Sequence, residues 1–190
     1  MKSSFWSVGR SRTTLLCAAW LALLAPVPTD AQDWNVVLNG KAIHIGANRD
    51  WNEDNWGLGL EREFDTQSPW VKIVLANAFT DSLDEMSYMA GGGIKRRFRP
   101  LASRNVYIDA GAVGFLMTRQ DVRDNRPFPG VLPTLTLGTE RLAVNLSYIP
   151  GRFVTEATDV RYEDSGIKGI LFIQVKLALP GGFAAFGPRR

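Results

Sequence analysis

"GIKGILFIQVKLAL", residues 166–179, decides the fold. Read with period two it has two faces. One carries Ile167, Gly169, Leu171, Ile173, Val175, Leu177 and Leu179; the other carries Lys168, Ile170, Phe172, Gln174, Lys176 and Ala178. Alternation sustained over this length belongs to a strand, because successive strand side chains point to opposite sides of the sheet. "RLAVNLSY", residues 141–148, repeats the pattern, with Leu142, Val144, Leu146 and Tyr148 opposite Ala143, Asn145 and Ser147. "NWGLGLERE", residues 55–63, sets Trp56, Leu58 and Leu60 against Gly57, Gly59, Glu61 and Glu63.

Working outward, eight such runs are found, near 34–46, 55–64, 70–79, 86–98, 104–118, 130–138, 141–149 and 167–179. Their connections alternate. "DTQSP", "RPLAS" and "GTE" are short; those near 47–54, 79–85, 119–129 and 150–166 are longer. An even number of strands, with short turns at one end and longer loops at the other, predicts an all-β, eight-stranded antiparallel outer-membrane β-barrel. The short turns face the periplasm in this reading and the long loops face outside. A soluble, exported barrel of lipocalin type shares the strand count, but turns its apolar face inward. Trp and Tyr near strand ends on the apolar face favour the membrane form.

The N-terminus reads as a cleaved signal peptide, residues 1–31. Lys2, Arg10 and Arg12 precede the apolar "TTLLCAAWLALLAPV", and "TDA" offers a cleavage site at Ala31. The barrel domain is then 32–180, with a C-terminal tail over 181–190. Cys17 is the only cysteine and lies in the signal, so the mature domain has no disulfide. Removing the signal's three basic residues and its Asp30 takes the net charge from +3 to +1. With no basic block, nucleic acid is not an expected partner.

Gly57, Gly59, Gly91, Gly92, Gly93, Gly111 and Gly114 recur where strand interiors should be. Glycine weakens a strand. It either leaves room inside a narrow barrel for an acyl chain or relieves a tightly curved sheet. Pro127, Pro129 and Pro133 flank the sixth run and Pro150 ends the seventh. A proline cannot donate to the ladder, so these either interrupt pairing within a membrane or simply end strands. In "NAFTDSLDE", residues 77–85, Asp81 and Ser82 end an apolar run. Both are common turn residues, and a turn is the commoner meaning of such a pair.

Several stretches together resemble the PagP family of outer-membrane lipid A palmitoyltransferases. They are "AIHIGANRDWNEDNWGLGLE", "NAFTDSLDEMSYMAGGG", "FRPLA" and "VLPTLTLGTERLAVNLSYIPG", in order over residues 40–152. The resemblance implies that a fatty acyl chain leaves a glycerophospholipid and is joined to lipid A, with no cofactor and no metal. It implies His44, Asp81 and Ser82 as catalytic residues. It implies an acyl-chain site floored by Gly93 and lined by Gly57, Gly59 and Gly91, and lateral gates at Pro129 or Pro133 and at Pro150. The expected partners are the phospholipid donor, lipid A and outer-membrane lipids, and the expected state is a monomer in the cell outer membrane. This chain departs from the family in lacking an amphipathic helix before the first strand, in Leu83 after the Asp–Ser pair, in the acidic Asp84–Glu85 and in its C-terminal tail. The competing functions are a non-catalytic lipid- or partner-binding barrel, and a phospholipase or lipid A deacylase using water as acceptor.

Overall fold

The computed structural model describes residues 33–64, 68–100, 106–122, 125–157 and 165–179. The expected signal peptide and C-terminal tail lie outside them. Eight antiparallel strands close into a barrel in chain order. They are β1 (Asp33–Ile45), β2 (Asp54–Phe64), β3 (Trp70–Thr80), β4 (Met86–Phe98), β5 (Val106–Thr118), β6 (Phe128–Thr139), β7 (Leu142–Pro150) and β8 (Gly169–Ala178). Closure is made by β8 on β1, from Asn35–Ala178 to Ile45–Gly169. Each of the eight runs is a strand, but the connections do not alternate strictly in length: the one between β3 and β4 (81–85) is as short as that between β2 and β3 (65–69). A short helix, α1 (Gly151–Ala157), follows β7 within the longest loop. Such a helix is too brief to show a period in the sequence.

The two faces differ in kind. Outward-facing Trp56, Leu58, Val74, Leu116, Val131 and Leu137 are all exposed, while the largest fully buried side chains are Lys95, Lys176 and Glu61. A protein apolar outside and polar within is an outer-membrane barrel, not a lipocalin-type one. On β1 the inward residues run Asn35, Val37 and Asn39, then Ala42 and His44. The parity slips at Gly40, where the register with both neighbours shifts between Asn39 and Lys41. That β-bulge turns His44 inward.

At the turn end, the lumen is filled by a charged network. Arg97 grips Asp109 with two bonds, Nε to Oδ1 at 2.9 Å and Nη2 to Oδ2 at 2.8 Å, and donates to Glu63 Oε2 at 2.9 Å. Its guanidinium also lies 4.0 Å from the Tyr107 ring centroid. Lys176 donates to Glu61 at 3.1 Å and to Glu63. Lys95 donates to Glu61 at 3.4 Å and to Thr136 at 3.3 Å, and Thr136 donates to Asn145 at 2.6 Å. Lys95, Arg97 and Lys176 therefore balance Glu61, Glu63 and Asp109, as buried charges require.

The glycines mark close approach between strands. A Cβ on Gly57 would meet Ala78 O at 2.3 Å, on Gly91 Gly114 O at 2.2 Å, on Gly93 Ala112 O at 2.5 Å and on Gly111 Ile94 O at 2.1 Å. On Gly59 it would strike Asn77 Oδ1 at 1.6 Å. These point inward; Gly92 and Gly114 sit on the outward parity of their strands. Tight curvature thus accounts for the inward glycines better than vacant space does.

The closed ladder has one gap. Between β6 and β7 the pairing runs from Gly138–Ala143 only as far as Thr134–Ser147. Beyond it, Phe128–Pro133 remains paired to β5 and Tyr148–Pro150 to β8. Pro129, Pro133 and Pro150 all lie in this split stretch.

Candidate active site

Above the charged network the barrel encloses a cavity of about 580 Å³. Leu75, Phe79, Val113, Phe115, Met117 and Phe172 form much of its apolar wall. Glu61, Lys95, Asn145 and Gln174 border it at the turn end and Arg119 at the loop end. Leu132 and Ile149, on opposite sides of the β6–β7 gap, also line it, as do Pro129, Pro133 and Pro150. Gly57, Gly59, Gly91 and Gly93 are not among the lining residues. Gly93 does lie next to them, paired with Val113 and two residues before Lys95 on β4. Gly130 has a clear local task, since a Cβ there would meet the Phe115 ring at 2.3 Å. Its bareness lets that ring lie against the wall.

Asp81 and Ser82 follow directly on β3, and both are buried. The Asp81 carboxylate organises its own loop. Oδ1 accepts from Leu83 N at 2.8 Å and Glu85 N at 3.2 Å, and Oδ2 accepts from Ser87 Oγ at 3.1 Å. Asp84 N donates to Asp81 O at 3.1 Å, closing a turn in which Asp84 takes a φ of 62°. An Asp that bonds backbone N–H groups just after it is an Asx turn. Arg119 Nε approaches Asp81 Oδ2 at 3.7 Å while its fork holds Asp121 at 2.9 Å and 3.1 Å.

His44 sits at the end of β1, its side chain buried. Its ring stacks on Trp51, with centroids 5.5 Å apart and planes 16° from parallel. The carboxylate beside it is Glu53, whose Oε1 accepts from His44 N at 2.8 Å and lies 3.7 Å from Nδ1. Among the described residues, neither ring nitrogen has a hydrogen-bond partner. Asn52 joins the two loops. Its side chain donates to Asp81 O at 3.2 Å and Asp84 Oδ1 at 2.7 Å, and its backbone N to Ser82 O at 3.3 Å.

The predicted residues thus lie at the end of β1 and on the loop after β3, which Asn52 of the first loop ties together at the cavity's outer end. Phe79, two residues before Asp81, lines the cavity, and so does Ile170, the register partner of His44. The Asp81 carboxylate contacts its own loop, Ser87 on β4 and Arg119, and the acidic neighbour of the His44 ring is Glu53. Sequence reasoning gave no role to Arg119, Glu53, Trp51 or Asn52. The last three form the "WNE" run, which entered only within a stretch that carries the family resemblance, and Arg119 had no signal. Among the described residues, no group of His, Cys, Asp and Glu could hold a metal ion.

Fold and cavity define a class: an eight-stranded outer-membrane barrel with an apolar cavity above a charged lumen floor, a gap in its wall and polar side chains at one mouth. A family model described as "Antimicrobial peptide resistance and lipid A acylation protein PagP" matches residues 41–163. A Legionella pneumophila protein named lipid A acyltransferase PagP is 30% identical over 188 residues, covering 91% of each chain. Proteins of the same name from Methylobacillus flagellatus and Bordetella pertussis are 34% identical over 102 residues and 35% over 104. The match spans about half the length of these two relatives, 54% and 56%. The chain belongs to the PagP family.

Proposed function

We propose that this barrel is a lipid A acyltransferase that takes a fatty acyl chain of palmitoyl type from a glycerophospholipid. The observation that carries the reading is the apolar cavity that borders a gap in the barrel wall. A donor's acyl chain can enter from the bilayer through that gap, past Pro129, Pro133 and Pro150, without its ester leaving the loop end. The chain lies along the cavity with its terminal methyl toward Gly93 and Lys95. The name shared by the relatives, lipid A acyltransferase, supports lipid A as acceptor.

His44 is the general base. Its unbonded ring nitrogens leave a lone pair free to take the proton of a lipid A hydroxyl. That oxygen attacks the donor's ester carbonyl, a new ester bond forms, and the bond to the glycerol oxygen breaks. The proton held on His44 passes to that oxygen, so the second product is a lysophospholipid. Ser82 donates a hydrogen bond to the carbonyl oxygen as it gains charge. The lack of a His44–Ser82 hydrogen bond favours this role over nucleophilic attack by Ser82. Asp81 is a positioning residue, because its carboxylate sets the loop that presents Ser82.

The test is a reaction of purified protein with one synthetic phospholipid and lipid A in mixed micelles. Acylated lipid A and lysophospholipid are expected in equal amounts. Lysophospholipid with free fatty acid, and no gain on lipid A, would make the protein a hydrolase. No turnover by folded protein would leave a binding barrel.

A further inference from the structure

We propose that the outer face of β1–β4, at the turn end, binds the phosphate headgroup of an anionic phospholipid in the adjoining leaflet. This rests on the membrane placement of the barrel but not on catalysis.

Arg62, Lys72 and Arg96 lie on the outward parity of three adjacent strands, each two residues from the turn end of its strand. Aromatic rings flank the two arginines. Arg62 sits 5.5 Å from the centroid of Trp34 and 4.6 Å from that of Phe64. Arg96 sits 5.9 Å from Trp70 and 5.2 Å from Phe98. Lys72 stands between them, paired with Phe64 on one side and Ile94 on the other.

Two features separate this patch from ordinary snorkelling cations. First, no ion pair among the described residues includes any of the three. Glu61 and Glu63, on the same strand as Arg62, point into the lumen and are spent on Lys95, Arg97 and Lys176. Second, Arg62 Nε is buried and has no hydrogen-bond partner among the described residues. The flanking rings restrict each guanidinium, which lowers the entropy lost when a phosphate is gripped by the fork. On β5–β8 the outward residues near the same end, such as Ile108, Leu137, Leu142 and Leu177, are apolar. Among the described residues, the basic side chains on outward strand positions near this end therefore lie on one side of the barrel, at the level where headgroups meet the acyl region; Arg99, paired with Glu140, and Arg141 lie in the turns beyond the strands.

The experiment uses the chain as isolated from membranes, with its other tryptophans replaced by phenylalanine so that Trp70 alone reports and a ring stays at position 34, in vesicles of phosphatidylcholine and phosphatidylglycerol. Total composition is held constant and bromine, a quencher, is carried by one lipid or the other. Brominated phosphatidylglycerol is expected to quench more, matching a local enrichment of about fivefold, the order contributed by one basic side chain near an anionic surface. The preference should fall to parity in Arg62→Gln/Lys72→Gln/Arg96→Gln. It should also fall at high salt in the otherwise unaltered chain, a test needing no folded triple variant. Equal quenching by both lipids at low salt, or a preference that survives substitution or salt, would overturn the proposal while leaving the barrel in the membrane. No quenching by either would overturn the membrane placement as well.

Discussion

At the scale of the residue, the site divides between groups that act and groups that hold. His44 and Ser82 are assigned the chemistry. His44→Gln removes the base and should cost about 10²- to 10⁴-fold in turnover. Ser82→Ala removes a donor to the oxyanion and should cost about 10²- to 10³-fold. Both variants should keep the wild-type thermal transition, and initial rates with a synthetic donor check both figures. Asp81 behaves differently because its carboxylate satisfies Leu83 N, Glu85 N and Ser87 Oγ. Asp81→Ala should therefore lower stability by about 1–3 kcal/mol as well as activity, measured by urea unfolding in detergent. The Asp–Ser pair is a turn by its geometry, and the proposed chemistry uses the same turn as a mount for Ser82. Turn residue and site residue were not alternatives, which the stretch 77–85 could not reveal by itself.

At the scale of the element, the decisive feature is where β6 and β7 part. Their ladder stops at Thr134–Ser147, so Leu132 and Ile149 face each other across the gap by continuation of the register. In the cysteine-free barrel, Leu132→Cys/Ile149→Cys joined by a bifunctional thiol reagent should lose nearly all transfer, and either single variant treated alike should not. Full activity in the crosslinked protein would mean that the donor enters elsewhere. The strands themselves were plain in the sequence, β4 to the residue at Met86 and Phe98, because period two is a local property. Three things were not. The bulge at Gly40 changes which parity faces inward; a lone glycine in a strand can mark a bulge, but the one in "LNGKA" was not read that way. The helix α1 is too short for a period. The glycines were open to two meanings, and only neighbouring-strand backbone 2.1–2.5 Å from a would-be Cβ on Gly57, Gly91, Gly93 and Gly111 selects curvature.

At the scale of the whole molecule, the barrel is apolar outside, charged within its turn half and hollow above. The charged half was invisible in the sequence as a unit. Lys176 meets Glu61 and Glu63 across 115 and 113 residues, and no window shows that. It closes the cavity beneath the proposed acyl chain. Lys95→Met alone strands Glu61 with one cation fewer and should destabilise the barrel by about 3 kcal/mol, seen in the urea midpoint. Glu61→Leu/Lys95→Met removes charge from the floor in a matched pair and should admit donors with longer acyl chains, read as a shift in the preferred chain length.

The central claim is that this barrel adds an acyl chain to lipid A using His44 and Ser82. The most direct measurement is the mass spectrum of lipid A from cells expressing the gene, beside cells expressing His44→Ala and Ser82→Ala. A species heavier by one acyl chain with the wild-type gene, lost in both variants at equal barrel levels, is the expected result. Unchanged lipid A with the wild-type barrel correctly inserted, or the heavier species persisting in either variant, would contradict it.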